Sequence, residues 1–229
     1  MSPDALLHLL QLASSSLPVG AYSYSEGLET LVHEGRISTL TELADWLQQE
    51  LRYGPIGVEL TIMVRVHAAM ETGDIEAIAH HNHWLSALRD TEEIREQNWQ
   101  MGQTLSRLLQ KLEPDLTQTL ENVGLPCNFA IAFSIAAAQW QISPEAMALG
   151  YLQSWLTNLI NAGIKLIPLG QTAGQTLLLQ LYPDLKNTAA KAIGAAMATA
   201  DQDSLFICNW GMALASMNHE TLYSRLFRS

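Results

Sequence analysis

The sequence is poor in charge, and above all in positive charge: its 229 residues include 12 Lys and Arg against 23 Asp and Glu, a net charge of −11. A protein that binds nucleic acid needs a basic face, so this deficit argues against nucleic acid as a partner. A disordered chain is also excluded, because 48% of the residues are hydrophobic and only 15% are charged. The length is sufficient for a large buried core.

Cysteine is scarce, and long hydrophobic runs are missing. Cys127 and Cys208 are too few for a disulfide framework or a metal site, and we expect both to be small buried residues. The longest nearly continuous apolar run, residues 129–138, is shorter than the roughly 20 residues that cross a bilayer. The first residues do not resemble a signal peptide. We therefore expect a cytoplasmic protein that does not enter a membrane.

The hydrophobic pattern is helical along almost the whole chain. Leucines recur every three or four residues after Thr39, which forms a capping-box pair with Glu42. Thr91 precedes a similar pattern, and Ser143 with Pro144 is typical of a helix start. No segment shows the two-residue alternation of a strand. The sequence predicts an all-α fold, a compact single-domain bundle of roughly ten helices.

Residues 126–182 contain only two charges, Glu145 and Lys165. A segment this apolar is expected to be buried in the core or against another subunit, and its extent predicts a two-fold symmetric homodimer. Lys165 has three interpretations: a catalytic lysine, a charge at a protein interface, or a lysine that complements the end of a helix. Spacing alone favours the last. An all-α enzyme that pairs Lys165 with a carboxylate such as Glu145 remains an alternative.

Catalytic and cofactor motifs are incomplete. The glycine-containing stretch 166–175 lacks the lysine of a phosphate-binding loop and the spacing of a dinucleotide fingerprint. His219 and Glu220 begin like a zinc-protease helix, but Tyr223 stands where the second histidine ligand would be. We therefore predict no catalytic residues, no resident metal and no cofactor.

A histidine cluster leaves two readings open. Glu76, His80 and His83 follow i, i+4, i+7 spacing, which brings them to one face of a helix, and His81 lies beside them. A solvated cluster on an acidic surface is the simpler interpretation. The alternative is a helical metal-binding or storage protein built on His80, His81 and His83.

The C-terminal residues 217–229 break the acidic trend and suggest docking, either onto the protein's own body or onto a partner. They combine two i, i+4 apolar pairs with two cations: Leu222/Leu226, Tyr223/Phe227, Arg225 and Arg228. We divide the chain into a helical domain, 1–216, and a partner-docking tail, 217–229. Being terminal and short of anchors, the tail is expected to be poorly ordered in the free protein.

Several collinear segments resemble one protein family. Residues 10–29, LQLASSSLPVGAYSYSEGLE, are similar to the N-terminal signature of the UreF-type urease accessory proteins. Residues 89–102 resemble the family's segment with Glu-x-Arg followed by Met-Gly. Further similar segments are YLQSW at 151–155, KLIPLGQTAGQ at 165–175 and the terminal peptide 216–229. In that peptide, Asn218 replaces an expected basic residue.

The resemblance implies an all-α homodimer without enzymatic activity that acts as a chaperone or scaffold in urease maturation. Family members bind the UreD (UreH) accessory protein and the UreG GTPase, and together these deliver nickel and carbon dioxide to apo-urease. Polar and aromatic positions in the similar segments then become expected partner contacts: Glu26, Lys165, Gln171, Gln175, His219, Glu220, Tyr223, Arg225, Phe227 and Arg228.

Overall fold

A computed structural model of the chain describes residues 1–198, 205 and 209–229, which form twelve α-helices, two short 3₁₀ helices and no strand. The 3₁₀ helices span Ala21–Ser23 and Pro114–Leu116. The α-helices are α1 (Pro3–Leu12), α2 (Leu28–His33), α3 (Leu40–Tyr53), α4 (Ile56–Thr72), α5 (Ile75–Leu88), α6 (Glu92–Leu112), α7 (Thr117–Val123), α8 (Phe129–Gln139), α9 (Pro144–Leu166), α10 (Gln171–Gln180), α11 (Tyr182–Met197) and α12 (Trp210–His219). The prediction of an all-α bundle of roughly ten helices is confirmed.

Helix starts that the sequence predicts are present as capping hydrogen bonds. The Thr39 hydroxyl accepts from the amide of Glu42 at 3.2 Å, and the Glu42 carboxylate accepts from the amide of Thr39 at 3.1 Å. Thr91 and Ser143 cap α6 and α9 in the same way through their hydroxyl oxygens. These bonds satisfy amide groups that a helix leaves without an internal partner.

The core is built around α8, whose residues 129–137 are all buried. This helix packs between α4 and α6, and the Ser134 hydroxyl donates to the carbonyl of Met63 at 2.6 Å. A single chain therefore hides the most apolar part of residues 126–182. Burial there gives no argument for a second subunit, and the homodimer stays a prediction.

Four elements meet where the chain ends. The long helix α9 packs against α2, and α12 packs against α2 and α6. The turn before α2 requires Gly27, whose φ of +82° lies in the left-handed region. A Cβ at Gly27 would lie 3.1 Å from the amide nitrogen of Ser216, so a side chain there would also push α12 away.

Two further sequence expectations concern cysteine and the membrane. Cys127 is buried as predicted, and this burial raises the pKa of its thiol to about 11, which keeps it protonated. Cys208 lies outside the described residues. Across the described part of the chain, no helix combines the length and the apolarity needed to cross a bilayer.

The Gly102→Ala substitution tests the packing of α6 against the chain that leads into α8. A Cβ at Gly102 would lie about 2.5 Å from the carbonyl carbon of Asn128 and 2.6 Å from the amide nitrogen of Phe129. Because these are backbone atoms, the helices must separate, and we expect a loss of about 3 kcal/mol in the free energy of unfolding by urea denaturation.

Gly194→Ala is the matched control, because Gly194 is an exposed helical glycine with no atom near its Cβ position. Alanine there is expected to add about 0.5–1 kcal/mol. Equal effects of the two substitutions would show that α6 does not depend on a close approach at Gly102.

Candidate functional site

The C-terminal segment, defined here as residues 220–229, leaves α12 and lies across the turn that precedes α2. Ser25 donates to the Ser229 carbonyl oxygen twice, from its amide and from its hydroxyl, at 2.7 Å each. The amide of Arg228 donates to the carbonyl of Ser23 at 2.8 Å. The end of the chain is thus held by backbone bonds to residues far away in sequence.

These contacts overturn one expectation about the tail. Residues 217–229 do not lack intramolecular anchors: Ser229 is buried, and its hydroxyl donates to the Gln97 side chain on α6 at 2.6 Å. Helix α12 ends at His219, so residues 217–219 belong to a helix of the main body. The segment beyond α12, which contains Leu222 and Leu226, is not helical in the single chain.

The carboxylate of Glu29 on α2 is the main anchor of the C-terminal segment. It accepts from the amide of Leu226 at 2.6 Å and from the amide of Phe227 at 3.0 Å. It also lies 3.1 Å from Nε2 of His219. Glu29 is buried, and hydrogen bonds to a buried carboxylate are stronger than those between neutral groups.

His219 contacts two carboxylates, one through each ring nitrogen. Its ring is fully buried, with Nε2 facing Glu29 and Nδ1 lying 2.9 Å from Glu93 on α6. The second oxygen of Glu93 accepts from Arg225 at 2.9 Å. His219, predicted as a partner contact, lies inside the protein and holds its last helix to α2 and α6.

Two cations lie over aromatic rings beside this network. Phe227 is buried, and Nζ of Lys165 lies 5.5 Å from the centre of its ring. The guanidinium of Arg228 lies 5.9 Å from the ring centre of Tyr24. Such contacts contribute about 0.5–1 kcal/mol at exposed sites. Lys165 is exposed in the last turn of α9, the helix-end position that its spacing favoured.

Four further predicted contact residues point to solvent. Tyr223 is fully exposed, and Glu220, Gln171 and Gln175 are exposed as well. The predicted partner-contact residues therefore fall into an exposed group and a buried group. A partner can reach only the exposed residues unless the protein rearranges.

Glu26 belongs to a second cluster, beneath the same turn. Its backbone adopts a φ of +54°, which an L-residue rarely takes. Its carboxylate accepts from Gln97 at 3.2 Å and from the indole of Trp155 at 3.0 Å. Burial raises its pKa. The two hydrogen bonds point the carboxylate inward, so Glu26 is not a free surface contact.

Glu26 borders a cavity of about 50 Å³ whose lining also includes Glu50, Glu59, Arg89 and Tyr151. Glu59 and Arg89 form a buried ion pair, and the Tyr151 hydroxyl donates to Glu59 at 3.3 Å. Burial raises the pKa of Glu50 to about 7 and lowers that of Arg89. Sequence reasoning missed these residues, although Glu59 was a usable signal, since it is the only charge between Arg52 and Arg65 in an apolar stretch.

The histidine cluster does not form a metal site: among the described residues, no group of three or more His, Cys, Asp or Glu side chains is placed to hold a metal ion. His80 and His83 are exposed on α5, and His81 is half-buried with its ring centre 5.9 Å from that of His80. Burial and the neighbouring His80 lower the pKa of His81 to about 4, so its ring is neutral at physiological pH.

Comparison with known proteins agrees with the family resemblance of the segments named in the sequence. A UreF family model matches residues 37–182, more than half of the chain. The chain belongs to the UreF family. It is 54% identical to the urease accessory protein UreF of Trichormus variabilis over 97% of this chain and 95% of that protein. The corresponding protein of Alkalilimnicola ehrlichii is 41% identical over 96% and 94%.

Two UreF-like segments that are distant in sequence meet in the structure. The first, residues 10–29, contributes Ser25 and Glu29, and the last, residues 216–229, binds to both through its backbone. Glu93, from the similar segment at 89–102, completes the network through His219. The resemblance therefore falls on residues that form one connected site.

His219→Leu tests the anchor. Leucine fills the space but removes the imidazole contact from the carboxylates of both Glu29 and Glu93, and we expect about 3 kcal/mol of stability to be lost. The amides of Leu226 and Phe227 should exchange hydrogen faster, which mass spectrometry would measure.

Arg225→Met is the control, because the Arg225 side chain is 40% exposed and its ion pair with Glu93 lies at the surface. It should cost less than about 1 kcal/mol. If His219→Leu cost no more than Arg225→Met, the buried histidine would not be the anchor.

Glu50→Gln tests the buried carboxyl group of α3, which accepts from Asn209 at 2.6 Å. The folded protein holds this proton more tightly than the unfolded chain, because burial raises the pKa from 4.5 to about 7. The resulting penalty is absent below pH 4.5, grows between pH 4.5 and 7, and is complete above pH 7.

The Glu50→Gln variant should therefore be more stable than the parent by about 2 kcal/mol at pH 8. The gain should fade at pH 4.5. Thermal unfolding at the two pH values measures it, with Glu121→Gln on the exposed surface of α7 as the control. A gain that did not depend on pH would contradict the buried ionisation.

Proposed function

We propose that the protein is a non-enzymatic chaperone of urease maturation that bridges the UreD (UreH) accessory protein and the UreG GTPase. In this role it assists the insertion of nickel into apo-urease, as a cytoplasmic homodimer. Membership of the UreF family supports a role in urease maturation, and its relatives are named urease accessory proteins. The bridging role is supported by the surface of the C-terminal segment.

The observation that carries the proposal is the division of the C-terminal segment into a fixed backbone and free side chains. Glu29 and Ser25 hold the backbone, while Tyr223 and Leu226 are 106% and 63% exposed. Apolar and aromatic groups on a fixed backbone bind a partner at a low entropic cost, because little remains to be ordered. A partner surface is thus already assembled in the single chain.

Helix α12 adds a second apolar surface in the same part of the chain. Trp210, Leu214 and Met217 follow i, i+4, i+7 spacing and are 76%, 57% and 50% exposed. An exposed apolar stripe of this kind is typical of a helix that packs into a partner's groove. We assign it, with Tyr223 and Leu226, to the UreD-type partner.

The structure gives no support to the two alternatives. Lys165 and Glu145 lie at opposite ends of α9, 20 residues apart, which is about 30 Å along the helix axis. They cannot act on one substrate atom within a single chain. The metal-storage alternative relied on His80, His81 and His83, which are not joined by further ligands in the described part of the chain.

The test is capture of a purified UreD-type protein by Tyr223→Ala and Leu226→Ala variants. Anchors of this kind cost about 2 kcal/mol when truncated, so we expect affinity to fall about thirtyfold. Both side chains are exposed, so the melting temperature should not change. Leu179→Ala on α10, equally exposed at 62%, is the control and should bind normally.

The same complexes are then incubated with a UreG-type GTPase and GTP, and assayed for activation of apo-urease. The proposal expects the GTPase to join only when this protein is present. Unchanged capture by both variants would overturn the assigned surface, and joining of the two partners without this protein would overturn the bridging role.

A further inference from the structure

A cavity of about 180 Å³ lies between α9, the turn after α1 and the start of α10. It is larger than the acidic cavity beside Glu26, and the described residues that line it include no carboxylate. An engineered cavity of about 150 Å³ binds benzene, so this one has room for roughly six to eight non-hydrogen atoms. Its size is that of a small metabolite.

One face of α9 supplies polar groups to this cavity. Thr157, Asn161 and Lys165 recur at four-residue spacing and therefore line one side of the helix. Gln171, the first residue of α10, adds an amide, and Ser15 adds a hydroxyl from the opposite wall. Within the described residues, none of the five side chains makes a hydrogen bond to another protein group. They are free to bind a ligand.

Lys165 gives the cavity its charge. Among the described residues it is the only charged one in the lining, and it forms no ion pair with any of them. Its ammonium nitrogen lies 5.5 Å from the ring centre of Phe227. In a protein of net charge −11, an unpaired lysine beside hydroxyl and amide groups marks a place where an anion is stabilised.

We infer that this cavity binds a small hydroxylated monocarboxylate, with its carboxylate at Lys165. A single lysine matches a single negative charge, whereas phosphate carries more charge than the site compensates. The hydroxyl and amide groups of Thr157, Asn161 and Gln171 both donate and accept, as hydroxyl groups of a ligand require. This assignment gives Lys165 a ligand in place of a direct partner contact, and it does not depend on the role in urease maturation.

The experiment is isothermal titration of the full-length protein with glycerate, which has one carboxylate and two hydroxyl groups. We expect one saturable site per chain. Glycerol, which lacks the charge, and inorganic phosphate should bind at least about tenfold more weakly, since a hydrogen bond to a charged group contributes about 1.5–3 kcal/mol.

Lys165→Met should weaken glycerate binding by at least about tenfold, and Asn161→Leu should weaken it severalfold. Lys186→Met is the control, because Lys186 is exposed on α11 and is not part of the cavity lining. Circular dichroism and thermal unfolding establish that each variant remains folded. Lys186→Met should bind glycerate like the parent.

Three results would overturn the inference. One is the absence of saturable heat with glycerate, and another is tighter binding of phosphate. The third is weaker capture of a protein partner by Lys165→Met in a protein that does not bind glycerate, which would show that the lysine receives an acidic side chain of that partner.

Discussion

The buried carboxylate of Glu29 is the interaction on which the C-terminal part of the structure depends. It collects two backbone amides and one imidazole nitrogen, all from a part of the chain about 190 residues away. Desolvating a carboxylate costs several kcal/mol unless donors compensate for the lost water. The arrangement is therefore cooperative, because the C-terminal segment stabilises the charge of Glu29 and the charge in turn fixes the segment.

Buried charge is a wider feature of this protein. Glu50, Glu59 and Arg89 lie within a molecule whose central helix, α8, is almost entirely apolar. Arg89 is the only cation among the described residues that line the inner cavity, and burial raises the pKa values of Glu26 and Glu50. The cavity that these charged groups line also contacts Met212 of α12, the helix that carries part of the proposed partner surface.

The sequence was sufficient to predict the helices but not the contacts between them. Thr39, Thr91 and Ser143 could be read because a capping bond joins residues three positions apart. The role of His219 could not, because its partners Glu29 and Glu93 are distant in sequence and nothing local distinguishes them from exposed carboxylates. The expectation that the tail is short of anchors was wrong for the same reason, since its anchors are the Glu29 carboxylate and the backbone of Ser23 and Ser25, all distant in sequence.

The contact between Lys165 and Phe227 joins the cavity along α9 to the C-terminal segment. The ammonium group of Lys165 cannot interact at full strength with the aromatic ring and with a second charge at the same time. Events at the two ends of this contact are therefore thermodynamically linked, and the linkage is reciprocal. With about 0.5–1 kcal/mol in the contact, releasing the segment would change the affinity of the lysine for another ligand by roughly two- to fivefold. The same factor applies in the opposite direction. A charge that binds Lys165 beside α10 would favour release of the C-terminal segment by that factor, without any change of fold.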